Sequence, residues 1–223
     1  MRLLSTKILP QDFRDRLLMY KFSLVEQSFI KITPLENLKI EIVFDALIFT
    51  SKNAVESVFS SPEIIKMIDG KAAYCVGKKT AMLLVDNGQK VVKIAQNSLE
   101  LALFLLKNHK NESFSYFCGK VRIPDLEEIL SVNGIKIQTI EVYDTQLQNQ
   151  RVKGHFDGIL FFSPSAVRGY ALSNGFENIH SFCLGPSTAK EVALHTDEYT
   201  VAKEPNESQL LLSLKNHITL HEE

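Results

Sequence analysis

Short apolar runs alternate along this chain with longer amphipathic stretches. Strand-length apolar runs fall at 2–5, 24–30, 46–50, 73–76, 90–94, 114–118, 136–142, 158–162, 181–184 and 199–202. Most are continuously apolar and bounded by turn residues, the pattern of strands buried on both faces of a parallel sheet. Between them, apolar residues spaced three and four apart predict helices over about 11–21, 52–59, 78–87, 97–108, 122–133, 164–173, 186–195 and 206–217, with a shorter one near 62–68. Regular alternation of strand and helix predicts an α/β fold with helices on both faces of each sheet. Gly88, Gly134 and Gly175 stand where helices must stop, which predicts left-handed C-caps at all three.

The pattern also repeats. Phe44-Asp-Ala-Leu-Ile-Phe-Thr-Ser-Lys-Asn-Ala-Val55 returns as Phe156-Asp-Gly-Ile-Leu-Phe-Phe-Ser-Pro-Ser-Ala-Val167, and Cys75-Val-Gly-Lys-Lys-Thr-Ala81 as Cys183-Leu-Gly-Pro-Ser-Thr-Ala189. Two similar α/β halves, each with Ser/Thr-bearing turns after buried strands, predict two facing domains with a ligand between them. Each repeated half supplies three strands, and ten strands divide into two five-stranded sheets. The strand–helix–strand unit at 114–142 directly follows the first half and completes it. By elimination, 1–30 crosses over to complete the second half.

The expected division is therefore a discontinuous domain of 1–30 and 150–223, a second domain of 40–140, and connectors at 31–39 and 141–149. Two crossing segments side by side predict a two-stranded hinge.

Composition narrows the function. The 223 residues are 45% hydrophobic and 23% charged with net charge −1, and no apolar run approaches a membrane span. Without a basic tract or any tryptophan, the footprint of a nucleic-acid binder is missing. The opening segment makes a poor signal peptide and a good first strand, so a cytoplasmic location is expected. Cys75, Cys118 and Cys183 have no metal-ligand spacing and read as buried structural thiols. No two of the six histidines lie within one predicted helix, so none is paired for a metal on one helical face. With no exposed apolar patch legible, a monomer is expected.

Six motifs, in order over nearly the whole chain, carry a family resemblance: Ile48-Phe-Thr-Ser-Lys-Asn-Ala-Val55, Val76-Gly-Lys-Lys-Thr-Ala81, Phe117-Cys-Gly119, Val142-Tyr-Asp-Thr145, Phe161-Phe-Ser-Pro-Ser-Ala166 and Leu184-Gly-Pro-Ser-Thr-Ala189. In these the chain resembles uroporphyrinogen-III synthase. The resemblance implies two flavodoxin-like parallel-sheet domains joined by a two-stranded crossover. It implies an enzyme that closes hydroxymethylbilane with loss of water, inverting ring D through a spirocyclic pyrrolenine. No cofactor or metal is implied. The implied partners are the small-molecule substrate and, as a candidate, the upstream hydroxymethylbilane synthase.

Such a substrate carries eight carboxylates, and in open parallel sheets ligands bind beyond the carboxyl ends of strands, at helix N-termini. Thr50, Ser51, Gly77, Thr80, Gly119, Ser163, Ser165, Gly185 and Thr188 fall at such ends, and Lys7, Lys52, Lys78, Lys79, Lys120 and Arg122 cluster beside them. Ordinary helix capping competes as the reading of Ser51, Ser163 and Ser165, helix–strand packing as that of Thr80 and Thr188, and solvation as that of the lysines. The glycines read as sites of close backbone approach as much as of binding. Tyr143 lies on the inferred crossover, and a phenol there can donate to a departing hydroxyl. The resemblance implies a candidate acid at this position, with hinge packing as the alternative. The chain departs from the family in Asp144, where a basic residue often follows the tyrosine, and in Lys120-Val-Arg122-Ile-Pro124 after Gly119. Two other functions remain in play: a non-catalytic two-lobed small-molecule binding protein, and a nucleotide-sugar transferase. The latter is disfavoured by the absence of glycine-rich phosphate fingerprints.

Overall fold

A computed structural model describes residues 1–36 and 38–221. The chain splits into two compact units: unit 1, Met1–Lys31 with Gln146–Glu223, and unit 2, Ile32–Thr145. It begins in unit 1 with β1 (Arg2–Ser5), α1 (Gln11–Met19) and β2 (Ser23–Glu26), and leaves through β3 (Ile30–Pro34). Unit 2 then runs β4 (Ala46–Phe49), α2 (Lys52–Phe59), α3 (Pro62–Ile68), β5 (Ala72–Val76), α4 (Lys78–Asp86), β6 (Lys90–Ala95), α5 (Ser98–Asn108), β7 (Ser113–Gly119), α6 (Asp125–Val132) and β8 (Lys136–Leu147). Back in unit 1 follow β9 (Gly158–Phe161), α7 (Pro164–Ala171), β10 (His180–Cys183), α8 (Pro186–Val192), β11 (Tyr199–Val201) and α9 (Glu207–His221).

Unit 1 holds a five-stranded sheet in the order β11-β10-β9-β1-β2, with every pair parallel. Read from its own first strand this is 2-1-3-4-5, the flavodoxin order. Unit 2 contributes β8-β7-β4-β5-β6, again all parallel, with β3 added beside β8. The echoed segments explain the relation between the two. β4 corresponds to β9 and β5 to β10, so the spatial layout is the same, but unit 2 starts its chain at the central strand and reads 3-2-1-4-5. One unit is a circular permutation of the other. The first strands of unit 1 supply what unit 2 takes from the continuation of its own chain.

The sheets are not both five-stranded, as the sequence led us to expect. The apolar run at 24–30 is broken by Gln27 and Ser28, and its end belongs to a separate strand, β3, next to β8. The Gln148 amide donates to the Phe29 carbonyl at 2.8 Å, and the Leu35 amide to that of Val142 at 2.9 Å. One partner index rises as the other falls, so the two connecting segments run antiparallel.

Four cores fill the two units. In unit 2, Leu47, Phe49, Val55, Leu84, Phe117 and Tyr143 pack on one face, and Ile48, Tyr74, Leu101, Phe114, Tyr116 and Leu130 on the other. In unit 1, Leu3, Phe13, Leu160, Phe182 and Leu210 fill one face, and Leu4, Phe29, Ile159, Phe161, Val167 and Tyr170 the other. Alternate residues of each central strand serve opposite cores, as the period of two requires. All three cysteines are buried and free, and burial pushes the Cys75 thiol up to about 11 and the Cys183 thiol to about 12. At neutral pH both are protonated and poorly nucleophilic.

Two further expectations need correcting. Gly88 (φ 79°) and Gly134 (φ 78°) are left-handed helix ends, but Gly175 is not in that region. Helix α7 stops at Ala171, and the Asn174 side-chain amide and backbone N–H both donate to the Tyr170 carbonyl, taking over the capping role. The absence of an exposed apolar patch also fails. Met82, Val85, Val92 and Ile94 are exposed along α4 and β6. An edge strand lacks the second neighbour that helps to bury the side chains of a central strand.

Candidate active site

In each unit all the parallel strands point their carboxyl ends the same way, and the chain leaves the sheet in opposite directions from one adjacent pair of strands. In unit 2 that switch point lies between β4 and β7, the place where open α/β sheets bind ligands. Thr50 and Ser51 follow β4, and Gly119 ends β7.

Tyr143 reaches this point from β8, one strand further out. The β7–β8 register pairs Cys118 with Glu141 but Gly119 with Tyr143, so Val142 is an extra residue in the ladder. Such a bulge re-aims the side chains that follow it. The Tyr143 ring lies over Gly119, where a Cβ would come within 2.5 Å of Cζ. Because Gly119 has no side chain, the ring passes over β7, and its Oη donates to Ser51 Oγ at 3.3 Å. The Tyr143 carbonyl accepts from the Lys120 amide at 3.0 Å, fixing the turn beneath the ring. Tyr143 is 8% exposed and belongs to the core of that face. Its packing and its hydroxyl contact therefore coexist.

Ser51 is also the N-cap of α2, accepting from the Asn53 amide at 3.1 Å. Thr50 shares a 2.8 Å hydrogen bond between its Oγ1 and the Tyr116 hydroxyl. Tyr116 is buried in the opposite core, and burial raises its phenol above the ordinary range. The sequence reading missed Tyr116, treating 114–118 as a purely apolar strand. Its one signal is a hydroxyl three residues before β7 ends.

The basic residues divide. Arg122 is not a free charge: its Nε donates to Glu127 at 2.6 Å, and its Nη1 to Glu141 at 3.0 Å and to the Gly119 carbonyl at 3.2 Å. Burial works against its charge, but the Glu127 bond, Cys118 and Glu141 together hold its pKa above the ordinary value. It clamps the Gly119 turn. Lys52 forms an exposed i,i+4 pair with Glu56 at 3.6 Å, which is worth little. In unit 1, Lys7 pairs with Glu207 at 3.4 Å and lies 4.1 Å over the Phe162 ring.

The two echoed glycine turns differ. Gly77 has φ 84° with open space around its missing Cβ, so conformation alone demands glycine there. Gly185 is extended, and a Cβ would meet only Pro205 at an ordinary 3.5 Å. Close backbone approach, expected of all three site glycines, holds only at Gly119. Thr80 and Thr188 are buried on the first turns of α4 and α8, 5% and 3% exposed. In unit 1, Ser163 caps α7 by accepting from the Ala166 amide at 3.2 Å, and Ser165 Oγ accepts from Arg168 at 3.3 Å. Pro164 and Pro186 open α7 and α8, so that rim carries fewer backbone donors than the Lys52 and Lys78 starts of unit 2.

The family model of uroporphyrinogen-III synthase HemD matches residues 11–211. The chain belongs to that family. Its activity is that of a cyclising lyase of porphyrin and heme biosynthesis: hydroxymethylbilane loses water and closes with inversion of ring D to give uroporphyrinogen III. The non-catalytic alternative is not favoured. Among solved structures, uroporphyrinogen-III synthetase from Helicobacter pylori is 23% identical with a TM-score of 0.74, covering 99% of this chain and 100% of that one. A mutant uroporphyrinogen III synthase from the extremely thermophilic bacterium Thermus thermophilus is 13% identical with a TM-score of 0.66, covering 98% and 99%. At these identities the likeness shows a shared fold. No curated protein matches the sequence. No helix among the described residues is long and apolar enough to cross a membrane, and no group of three or more His, Cys, Asp or Glu among them could hold a metal ion.

Proposed function

We propose that the carboxyl-end rim of unit 2 carries the dehydration and ring inversion of uroporphyrinogen-III synthase, with Tyr143 as the acid from which the proton of the departing hydroxyl comes. The observation that supports it is the phenol lying across Gly119 to Ser51 at the sheet's switch point. Loss of the hydroxyl from hydroxymethylbilane leaves an azafulvene whose positive charge the pyrroles share. Attack by the substituted ring D carbon gives the spirocyclic pyrrolenine, which fragments and recloses inverted. Because the open chain also closes unaided to the uninverted isomer, the protein's task is to fold the substrate and favour the inverting transition state.

In the same proposal Thr50, Ser51, Lys52, Gly77, Thr80 and Gly119 line the unit 2 contacts, and Ser163, Ser165, Gly185 and Thr188 those of unit 1. Backbone N–H groups at the first helical turns receive carboxylates, while the burial of Thr80 and Thr188 gives their side chains a packing share. The reading extends to a cytoplasmic monomer fed by hydroxymethylbilane synthase, since a substrate that cyclises unaided is best used promptly.

The test is Tyr143→Phe. Removing only the oxygen keeps the ring's packing over Gly119, so folding should survive. We expect the rate to fall about tenfold to a thousandfold, the range for one positioned donor, with a smaller change in product affinity and the uninverted isomer rising. A wild-type rate with the inverted isomer still dominant makes the tyrosine a packing residue.

A further inference from the structure

We propose that Ser51 is the group that meets the departing hydroxyl, and that Tyr143 acts through it. This rests on the reading of the unit 2 rim as the site of dehydration. A serine hydroxyl offers two acceptor positions and one hydrogen. Both acceptor positions of Ser51 are filled, one by the Asn53 amide at 3.1 Å and one by the Tyr143 phenol at 3.3 Å. What remains is its hydrogen, on a residue that is partly exposed. Tyr143 is in the opposite position: it is 8% exposed, and its only hydrogen is already given to Ser51. A phenol cannot donate the same hydrogen twice. Two donors converging on one oxygen polarise its O–H bond, a cooperative strengthening on the order of 10–30% per bond.

The neighbouring geometry holds this chain in one arrangement. The bulge at Val142 aims the ring, Gly119 leaves room for it, and Arg122 fastens the Gly119 carbonyl. Ser51 is fixed from its own side by the helix it caps. The step then balances as follows. The substrate C–O bond breaks with its electron pair going to oxygen, which takes the Ser51 proton and leaves as water. Ser51 recovers a proton from Tyr143, and the tyrosinate is reprotonated when the α-carbon that forms the last ring bond gives up its hydrogen as a proton. Tyr143 is in this scheme a positioning and relay residue.

A double-mutant cycle on the full chain with freshly prepared hydroxymethylbilane tests the relay. Ser51→Gly is the informative change, because glycine is nearly as good as serine at an N-cap, so helix α2 survives without the hydroxyl. We expect Ser51→Gly to lower kcat at least as much as Tyr143→Phe does, about tenfold to a thousandfold, with KM within about twofold. Adding Tyr143→Phe to it should cost no more than about a further twofold, since both changes break one chain. Ser51→Thr, which restores the hydroxyl, should recover most of the rate. If Ser51→Gly turns over at the wild-type rate, the serine is only a cap and the relay is wrong. If Tyr143→Phe exerts its whole single-mutant effect on top of Ser51→Gly, the phenol reaches substrate independently. The relay then fails while the rim reading stands. A wild-type rate for Tyr143→Phe alone overturns both.

Discussion

Gly119→Ala should cost this enzyme at least as much activity as losing the Tyr143 hydroxyl, about a hundredfold or more. The added Cβ would come within 2.5 Å of Tyr143 Cζ, 2.6 Å of Cε2 and 2.9 Å of Oη. No carbon contact survives at such distances, so the ring must tilt away from β7. Its hydrogen bond to Ser51 breaks when it does. The ring is also part of a filled core, and overpacking there costs typically 1–3 kcal/mol. The two effects separate in a second background: combined with Tyr143→Ala, the glycine change should no longer destabilise, because the atoms it strikes are gone. Measuring kcat and thermal midpoints of the single and double variants checks this. A Gly119→Ala enzyme with wild-type kcat would show that the ring's position over β7 is irrelevant to turnover.

Gly169→Ala should be the most destabilising single methyl in unit 1. Gly169 lies on the buried face of α7, and a Cβ would fall well inside contact distance of the Phe29 carbonyl oxygen. That oxygen cannot easily retreat, because it accepts the Gln148 amide at 2.8 Å in the connecting ribbon. Phe29 itself packs edge-on against Tyr170, with ring centroids 5.3 Å apart. The gain of about 1 kcal/mol in helix propensity from Gly to Ala is outweighed by a clash with backbone. We expect a net loss of about 2–3 kcal/mol, which lowers the midpoint by about 4–12 °C for a protein of this size. The corresponding position in unit 2 is Ser57, also buried. There α2 carries a larger residue at the equivalent place, so the tight seat belongs to unit 1 and not to the repeat as such. Calorimetry or denaturant titration of Gly169→Ala measures the effect, and an unchanged midpoint would mean that the helix shifts freely off Phe29.

Much of this architecture was legible because it depends on period and repetition. The continuous apolar runs of β4, β5, β7, β9 and β10 could only be buried strands, and the echoed Ser/Thr turns placed α2 and α7 after equivalent strands. The crossover of residues 1–30 followed from counting strands, with no knowledge of their order. Tyr143 stood out because it lay where the chain had to cross. What depends on register was not legible. The extra residue at Val142, which brings Tyr143 beside Gly119, leaves no mark in a run of apolar residues. Arg122 looked like a free cation because its partners Glu127 and Glu141 sit on a helix and a neighbouring strand. Gly175 looked like a helix end because a glycine past an amphipathic stretch usually is one; here Asn174 does that work earlier.

Whether this rim directs an inverting cyclisation is decided by the isomer composition of the product. Wild-type protein should be mixed with freshly prepared hydroxymethylbilane, quenched within the lifetime of the unaided reaction, and its products resolved by chromatography beside a protein-free control and Tyr143→Phe. We expect almost entirely the inverted isomer from the wild type, the uninverted isomer from the control, and a slow reaction with a mixed product from Tyr143→Phe. A wild-type product matching the protein-free control would contradict an inverting role for the rim.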